Sequence, residues 1–299
     1  MNKLPIATRT QILSLLCEGS SMRAISRVTG VSLNTVTKLL IDAGKACAAY
    51  HDEHVTNVKA TKIQCDEIWA FCYSKQRNVA TAKAAPERAG DVWTWTALEA
   101  SHKMIISYMV GGRDSDYAIA LMDDLRSRLA NRVQLTTDGH KAYLSAVEEA
   151  FGDDIDYAQL VKLYGSAPEA FKGRYSPAEC IGARKETVTG NPDKAHVSTS
   201  YVERSNLTIR MHMRRFTRLT NGHSKKFENH AWAVALHVMF YNFVRMHATL
   251  RMSPAMAAGV SSRLWEMSDI VALVDAREEA PKRPATYQKR EASAAQISN

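Results

Sequence analysis

Cysteine is scarce in this 299-residue chain and is nowhere arranged for metal or disulfide chemistry. Cys17, Cys47, Cys65, Cys72 and Cys180 form no C-x-x-C pair and no Cys/His cluster of zinc spacing. They read as free, mostly buried thiols of a reducing compartment. Long apolar runs are missing as well: no stretch approaches the roughly 20 residues that a bilayer span requires. Pro5, Thr8, Arg9, Thr10 and Gln11 interrupt the first segment, where a secretory signal would need an unbroken apolar block. A soluble, cytoplasmic protein is expected. No internal repeat is visible. Acidic excess is also absent, since 39 Lys and Arg face 31 Asp and Glu for a net charge of +8. That balance favours a polyanionic partner, without separating DNA from RNA, an acidic protein or a membrane surface.

What is present divides into three stretches. Residues 1–55 read as a small all-α domain, with Ile12, Leu13, Leu15 and Leu16 in a first helix and Met22, Ala24, Ile25 and Val28 in a second. Gly30 and Val31 make a turn, and Ser32 caps a third helix whose core side carries Val36, Leu39, Leu40 and Ile41. Asn34, Thr35, Thr37 and Lys38 are left toward solvent. This is helix-turn-helix spacing, in which the third helix enters a DNA major groove; a plain three-helix bundle or partner-docking module has the same pattern.

Residues 56–260 read as a mixed α/β domain. The run from Ile63 to Phe71 is too compact for an amphipathic helix and reads as a strand, followed by strands at 92–98 and 104–110. A helix over 116–129, a strand over 133–137, a helix through Phe151 and a strand near 157–164 come next. Gly165, Pro168, Gly173, Pro177, Gly182, Gly190 and Pro192 make 165–197 an irregular insertion. Helical stretches follow at 200–216 and 227–246. The order of three strands, helix, strand, helix, strand, helix is that of an RNase H-like fold, a mixed sheet with helices on its faces. Residues 261–299 offer one amphipathic helix and a flexible tail.

Three acids invite a chemical reading. Asp66 sits inside an apolar strand run (KIQCDEIWAF), where an unpaired charge is costly. Glu67 is its neighbour, but strand alternation sends the two to opposite faces, so only one joins a given site, and alternation alone does not choose between them. Asp138 ends a strand, with Gly139 behind it to permit a sharp exit. Glu203 begins a helix face that continues through Asn206, Arg210 and Arg214, opposite Val202, Ile209, Met213 and Phe216. Two magnesium ions roughly 4 Å apart, held by carboxylate oxygens, activate the attacking oxygen and stabilise the leaving one in phosphodiester chemistry. Behind Glu203, the residues Arg204, Arg210, Arg214, Arg215, Arg218, Lys225 and Lys226 follow with no acid among them. Such a stripe suits a DNA backbone, although a solvated helix face has the same look. The histidines are scattered and none is assigned as a ligand.

The strings DEIW at 66–69, TDGHKAY at 137–143 and YVERSNLTIRMHMRRFTR at 201–218 resemble the three catalytic blocks of DDE-type transposases, most closely those of the insertion-sequence-one family. YNFVRMHATLRMSPAMAAG at 241–259 resembles the close of many transposase and integrase cores. The resemblance implies that Asp66, Asp138 and Glu203 hold two Mg2+ or Mn2+ ions, and it selects Asp66 over Glu67. It gives Arg210 a contact to DNA near the scissile phosphate, and double-stranded DNA, both element ends and target, as the partner. Synapsis of two ends implies a homodimer or higher oligomer, in the bacterial nucleoid. The chain departs from the family in two ways. Its second and third acids stand 65 residues apart, which keeps Glu179 and Glu186 open as the third acid, and it lacks the cysteines of an N-terminal zinc module. The rival functions are a catalytically silent helix-turn-helix regulator and an RNase H-like nuclease that cuts without joining.

Overall fold

The computed structural model describes residues 3–165, 180–217 and 220–277. Helix α1 spans Ile6–Cys17, α2 Met22–Thr29 and α3 Leu33–His54. Ser21 and Ser32 cap the second and third, each side-chain oxygen accepting a backbone N–H two or three residues into the helix, from Ala24 (3.1 Å) and Thr35 (3.2 Å). Helix α3 continues past Ile41, the last core-side residue named from the sequence, to His54. Its second half buries Ala43, Gly44, Ala46, Cys47 and His51, a small-residue face against helices from the far end of the chain.

Among the described residues six strands form one mixed sheet in the order β3-β2-β1-β4-β5-β6. They span Lys62–Cys72 (β1), Gly90–Glu99 (β2), Ile105–Gly111 (β3), Gln134–Asp138 (β4), Asp156–Tyr164 (β5) and Cys180–Thr189 (β6). The first three make an antiparallel meander, β1, β4 and β5 run parallel, and β6 returns antiparallel to β5. Helices α4 (Ser115–Arg128) and α5 (Ala142–Phe151) flank β4 in the chain, as the apolar spacing predicts. Helix α6 (Ser200–His212) lies against β1. Helix α7 (Phe227–Met239) continues as a π-helical turn over Phe240–Val244, and short α8 (Pro254–Ala257) and α9 (Met267–Arg277) close the described chain.

Two expectations are corrected here. The stretch expected to be irregular contains β6, a strand whose side chains are mostly exposed and show no buried alternation. It exists through backbone pairing to β5, which hydrophobic pattern does not report. The expected helix from 200 to 216 ends at His212, because Met213 turns extended (φ −119°, ψ 107°), and a 3-10 turn follows over Arg214–Phe216. Arg214 therefore does not share a helix face with Glu203. Residues 166–179 of the expected insertion, and the tail from 278, lie outside the described residues.

One hydrophobic cluster runs through the molecule, from Ile12, Leu13 and Ile25 of the N-terminal helices through Ile63 and Trp95 of the sheet to Phe243 and Ile270. Helix α3 packs on α7 and α9, and α1 packs on α9. Arg9 clamps Asp275 with two hydrogen bonds (2.5 and 3.0 Å), holding its carboxyl down to about 2. No helix among the described residues is long and apolar enough to cross a membrane.

Candidate active site

Parallel pairing matches Cys65 of β1 with Thr137 of β4, so the next step of that register brings Asp66 beside Asp138 at the edge where β4 ends. Helix α6 is docked onto this edge by a residue that the pattern did not single out. Gln64, buried on β1, accepts the N–H groups of Tyr201 (2.8 Å) and Val202 (3.1 Å) with its side-chain oxygen, satisfying two donors of the first helical turn. Asp66 lies on the same strand face two residues on, and its Oδ2 accepts 2.8 Å from the Asn206 amide of α6. Asn206 is thereby buried within the site instead of facing outward with the basic residues. Asp138 fixes its own exit turn by accepting the His140 N–H at 2.9 Å.

A cavity of roughly 660 Å³ opens here, lined by Asp66, Asp138 and Glu203 together with Arg113, His140, Lys141 and Lys162. All three predicted acids line it, but they are not equivalent. Oxygens of Asp66, Glu67 and Asp138 lie within 4.8 Å of one another. As alternation predicts, Glu67 points to the other face, toward α5, and is not among the cavity's lining residues, yet Asp138 at the strand end stands near both. Glu203 stands outside that group. Its Oε1 accepts from Lys162 Nζ of β5 (2.5 Å) and from the Thr199 hydroxyl (2.6 Å). Burial works against the Lys162 charge, but Glu203 outweighs it and holds the ammonium above the usual lysine range.

The electrostatics favour a bound cation. Burial first, then the charges of Glu67 and Asp138, push Asp66 up to about 7. Glu67 is raised by the same burial and by Asp138, against the pull of Arg113. Hard oxygen donors that repel one another suit a divalent ion of the magnesium class. Asp66 and Asp138 fit that role as they stand, whereas Glu203 stands farther off with its Oε1 paired to Lys162.

The alternatives for the third acid fare differently. Glu186 sits on β6 paired with Arg184, outside the cavity lining, and Glu179 lies outside the described residues. Of the predicted DNA-contacting residues, Arg204 and Arg214 are exposed and Arg210 is half-buried. Arg215 is turned inward, donating to Ser224 Oγ (3.0 Å) and the Asn229 carbonyl (2.7 Å), so it ties the 3-10 turn to α7. Arg218 lies outside the described residues. At the start of α3, Asn34 and Lys38 are exposed, the latter paired with Asp42 (2.5 Å), while Thr35 and Thr37 are half-buried. Thr35 is bonded to the capping Ser32 (2.9 Å) and Thr37 to the Leu33 carbonyl (2.8 Å). Sequence reasoning missed Gln64, Arg113 and Lys162, since a polar residue inside a strand or after a turn carries no motif of its own.

No family model and no curated protein sequence matches this chain. Solved structures similar to it include a Mos1 transposase paired-end complex with left transposon end, at 14% identity and a TM-score of 0.23, covering 52% of this chain and 60% of that one. A pre-cleavage Mos1 transpososome (13%, TM-score 0.20) is covered to the same extents. A piggyBac transposase synaptic complex with hairpin DNA (11%, TM-score 0.29) matches 75% of this chain and 55% of that one. The chain thus spans about 60% of the length of the Mos1 chains it matches. Likeness this distant transfers no residue role.

Proposed function

We propose that this chain is a DDE-type DNA transposase of RNase H-like fold, with Asp66, Asp138 and Glu203 as its metal-binding and catalytic acids. The observation that carries the reading is the meeting of Asp66, inside β1, with Asp138, at the end of the parallel strand β4, in a cavity that Glu203 also lines. When bound, two Mg2+ or Mn2+ ions supply Lewis-acid activation of the attacking and leaving oxygens of a phosphodiester. The protein's part is to hold the acids and orient the strand, and no covalent enzyme intermediate is required. Gln64 fixes α6 to β1, Asn206 fixes the Asp66 carboxylate, and the Asp138 turn fixes the third wall. In this reading α2 and α3 form a helix-turn-helix that reads element ends through Asn34, Thr35, Thr37 and Lys38. Arg204, Arg210, Arg214 and Arg218 hold the DNA backbone. Arg215 supports that turn from within, and Asn206 serves the acids.

The test is an incubation of the full chain with labelled element ends and magnesium. Wild type is expected to expose a 3′-hydroxyl and join it to target DNA, and Asp66→Asn and Glu203→Gln each to lose at least about a hundredfold in rate, as removal of charge stabilisation at the reacting centre does. Binding without cleavage by wild type would instead indicate a regulator, and cleavage without joining a nuclease. Full activity in both variants would sink the triad.

A further inference from the structure

Glu67 and Arg113 stand outside the acid triad and require an explanation of their own. The Glu67 side chain is 1% exposed, and both its oxygens are taken. Oε1 accepts from Nε and Nη2 of Arg113, each at 2.7 Å, and Oε2 accepts from the Tyr143 hydroxyl at 3.2 Å. Although it lies beside Asp66 and Asp138, its lone pairs are committed to a cation already present. A buried ion pair contributes little stability relative to an apolar pair of similar volume, so its presence points to something other than folding.

Arg113 follows β3 in the sequence GGRD. Its approach is close to α4, where a Cβ at Gly111 would fall 1.9 Å from the Tyr117 ring and the ring would have to move. The guanidinium is held from a second side by Trp93, 4.7 Å from its ring centre, a favourable cation–π distance. It is 39% exposed and lines the same cavity as Asp66, Asp138 and Glu203. Glu67 uses only its Nε and Nη2 edge; the remaining N–H groups have no partner among the described residues. A planar, permanently charged fork, immobilised on one edge and open on the other, matches the non-bridging oxygens of a phosphate. Arg113 and Lys141 in the lining offset the acids that would repel such a group, Lys162 being paired with Glu203.

We propose that Arg113 seats the substrate phosphodiester, with Glu67 and Trp93 as the positioning residues that aim it. The proposal rests on the reading of the cavity as a phosphoryl-transfer site and adds its anion-binding wall. The probes are Mn2+ alone and inorganic phosphate, with Mn2+ binding followed by calorimetry and phosphate by the relaxation of its phosphorus resonance near bound Mn2+. Wild type is expected to bind both. Arg113→Ala removes a cation beside the acids, so it should not weaken Mn2+ binding, and it should weaken phosphate about tenfold or more, the effect of one lost charge-assisted hydrogen bond. Arg113→Lys keeps a cation for Glu67 but not the open fork, so it should fold as wild type and still bind phosphate more weakly. It carries the same reading if the alanine variant does not fold. Glu67→Gln should weaken phosphate binding measured at saturating Mn2+, a condition that allows for the loss of a charge within 4.8 Å of the Asp66 and Asp138 oxygens; wild-type phosphate affinity there would strike out its positioning role. Phosphate binding unchanged in the Arg113 variants, or absent in Mn2+-loaded wild type, overturns the inference alone. Failure of wild type to bind Mn2+ overturns the metal reading and this inference with it.

Discussion

At Asp66 the interior of a strand and the chemistry of a cation site pull in opposite directions. Burial and two neighbouring carboxylates raise its proton affinity so that it titrates at about 7 in the folded protein, against 3.8 ordinarily. Between those values the folded state holds a proton that the unfolded chain has released, so the unfolded chain binds fewer and stability falls with rising pH. The stabilising contribution is complete below 3.8, declines through the interval and is gone above about 7. Asp66→Asn removes this dependence while keeping an oxygen that can accept from Asn206. In chelator the variant should therefore gain on wild type in melting temperature from about pH 5 to about pH 8, and excess Mg2+ should raise wild type only. A melting-temperature difference that is constant with pH would count against the environment described for Asp66.

At the scale of elements, the joint between α3 and α7 depends on one small residue. A Cβ on Gly44 would stand 2.4 Å from the Trp232 carbonyl oxygen and 2.5 Å from its Cβ, contacts with backbone and side-chain root that no rotamer relieves. Gly44→Ala should separate the two helices and cost about 1–3 kcal/mol despite the better helix propensity of alanine. Urea denaturation reads this directly, and a neutral or stabilising result would mean that the helices are not so closely apposed. Such joints explain what was legible in the sequence. The three strands and β4 were readable as short apolar runs because they are buried at consecutive positions, and α4 by the helical period of its buried face. Asp138 was readable because a strand stopped there. Strand β6, largely exposed, and the early end of α6 at Met213 follow from backbone pairing and a turn, which leave no hydrophobic period. The proximity of Glu67 to Asp138 was not legible: alternation assigned its face, but an acid at the end of the neighbouring strand lies close to both faces.

For the molecule as a whole, the question is whether the N-terminal helices are a domain or part of a single body. Their apolar faces belong to the cluster that fills the sheet, and α3 completes its burial only against α7 and α9. Polar ties cross the same boundary: Arg9 holds Asp275, Arg277 holds Glu53 at 2.5 Å, and Arg128 of α4 reaches Asp52 at 2.7 Å and the Val55 carbonyl at 3.0 Å. A unit of about 55 residues is marginal in stability alone, and this one would expose Ala43, Ala46, Cys47 and His51 as well. The isolated segment 1–55 should therefore show little helix by circular dichroism and no cooperative melt. The full chain should lose its far-ultraviolet helical signal and its tryptophan fluorescence in one coincident transition, since all five tryptophans lie beyond residue 55 while α1–α3 lie before it. If the fragment folds cooperatively, or if helix is lost in a separate early step, the helices are an autonomous reader tethered to the catalytic core. If the transitions coincide, α3 and the cavity at Asp66 belong to one cooperative body, and under the proposed function the packing of α3 on α7 sets the distance from α3 to the acids.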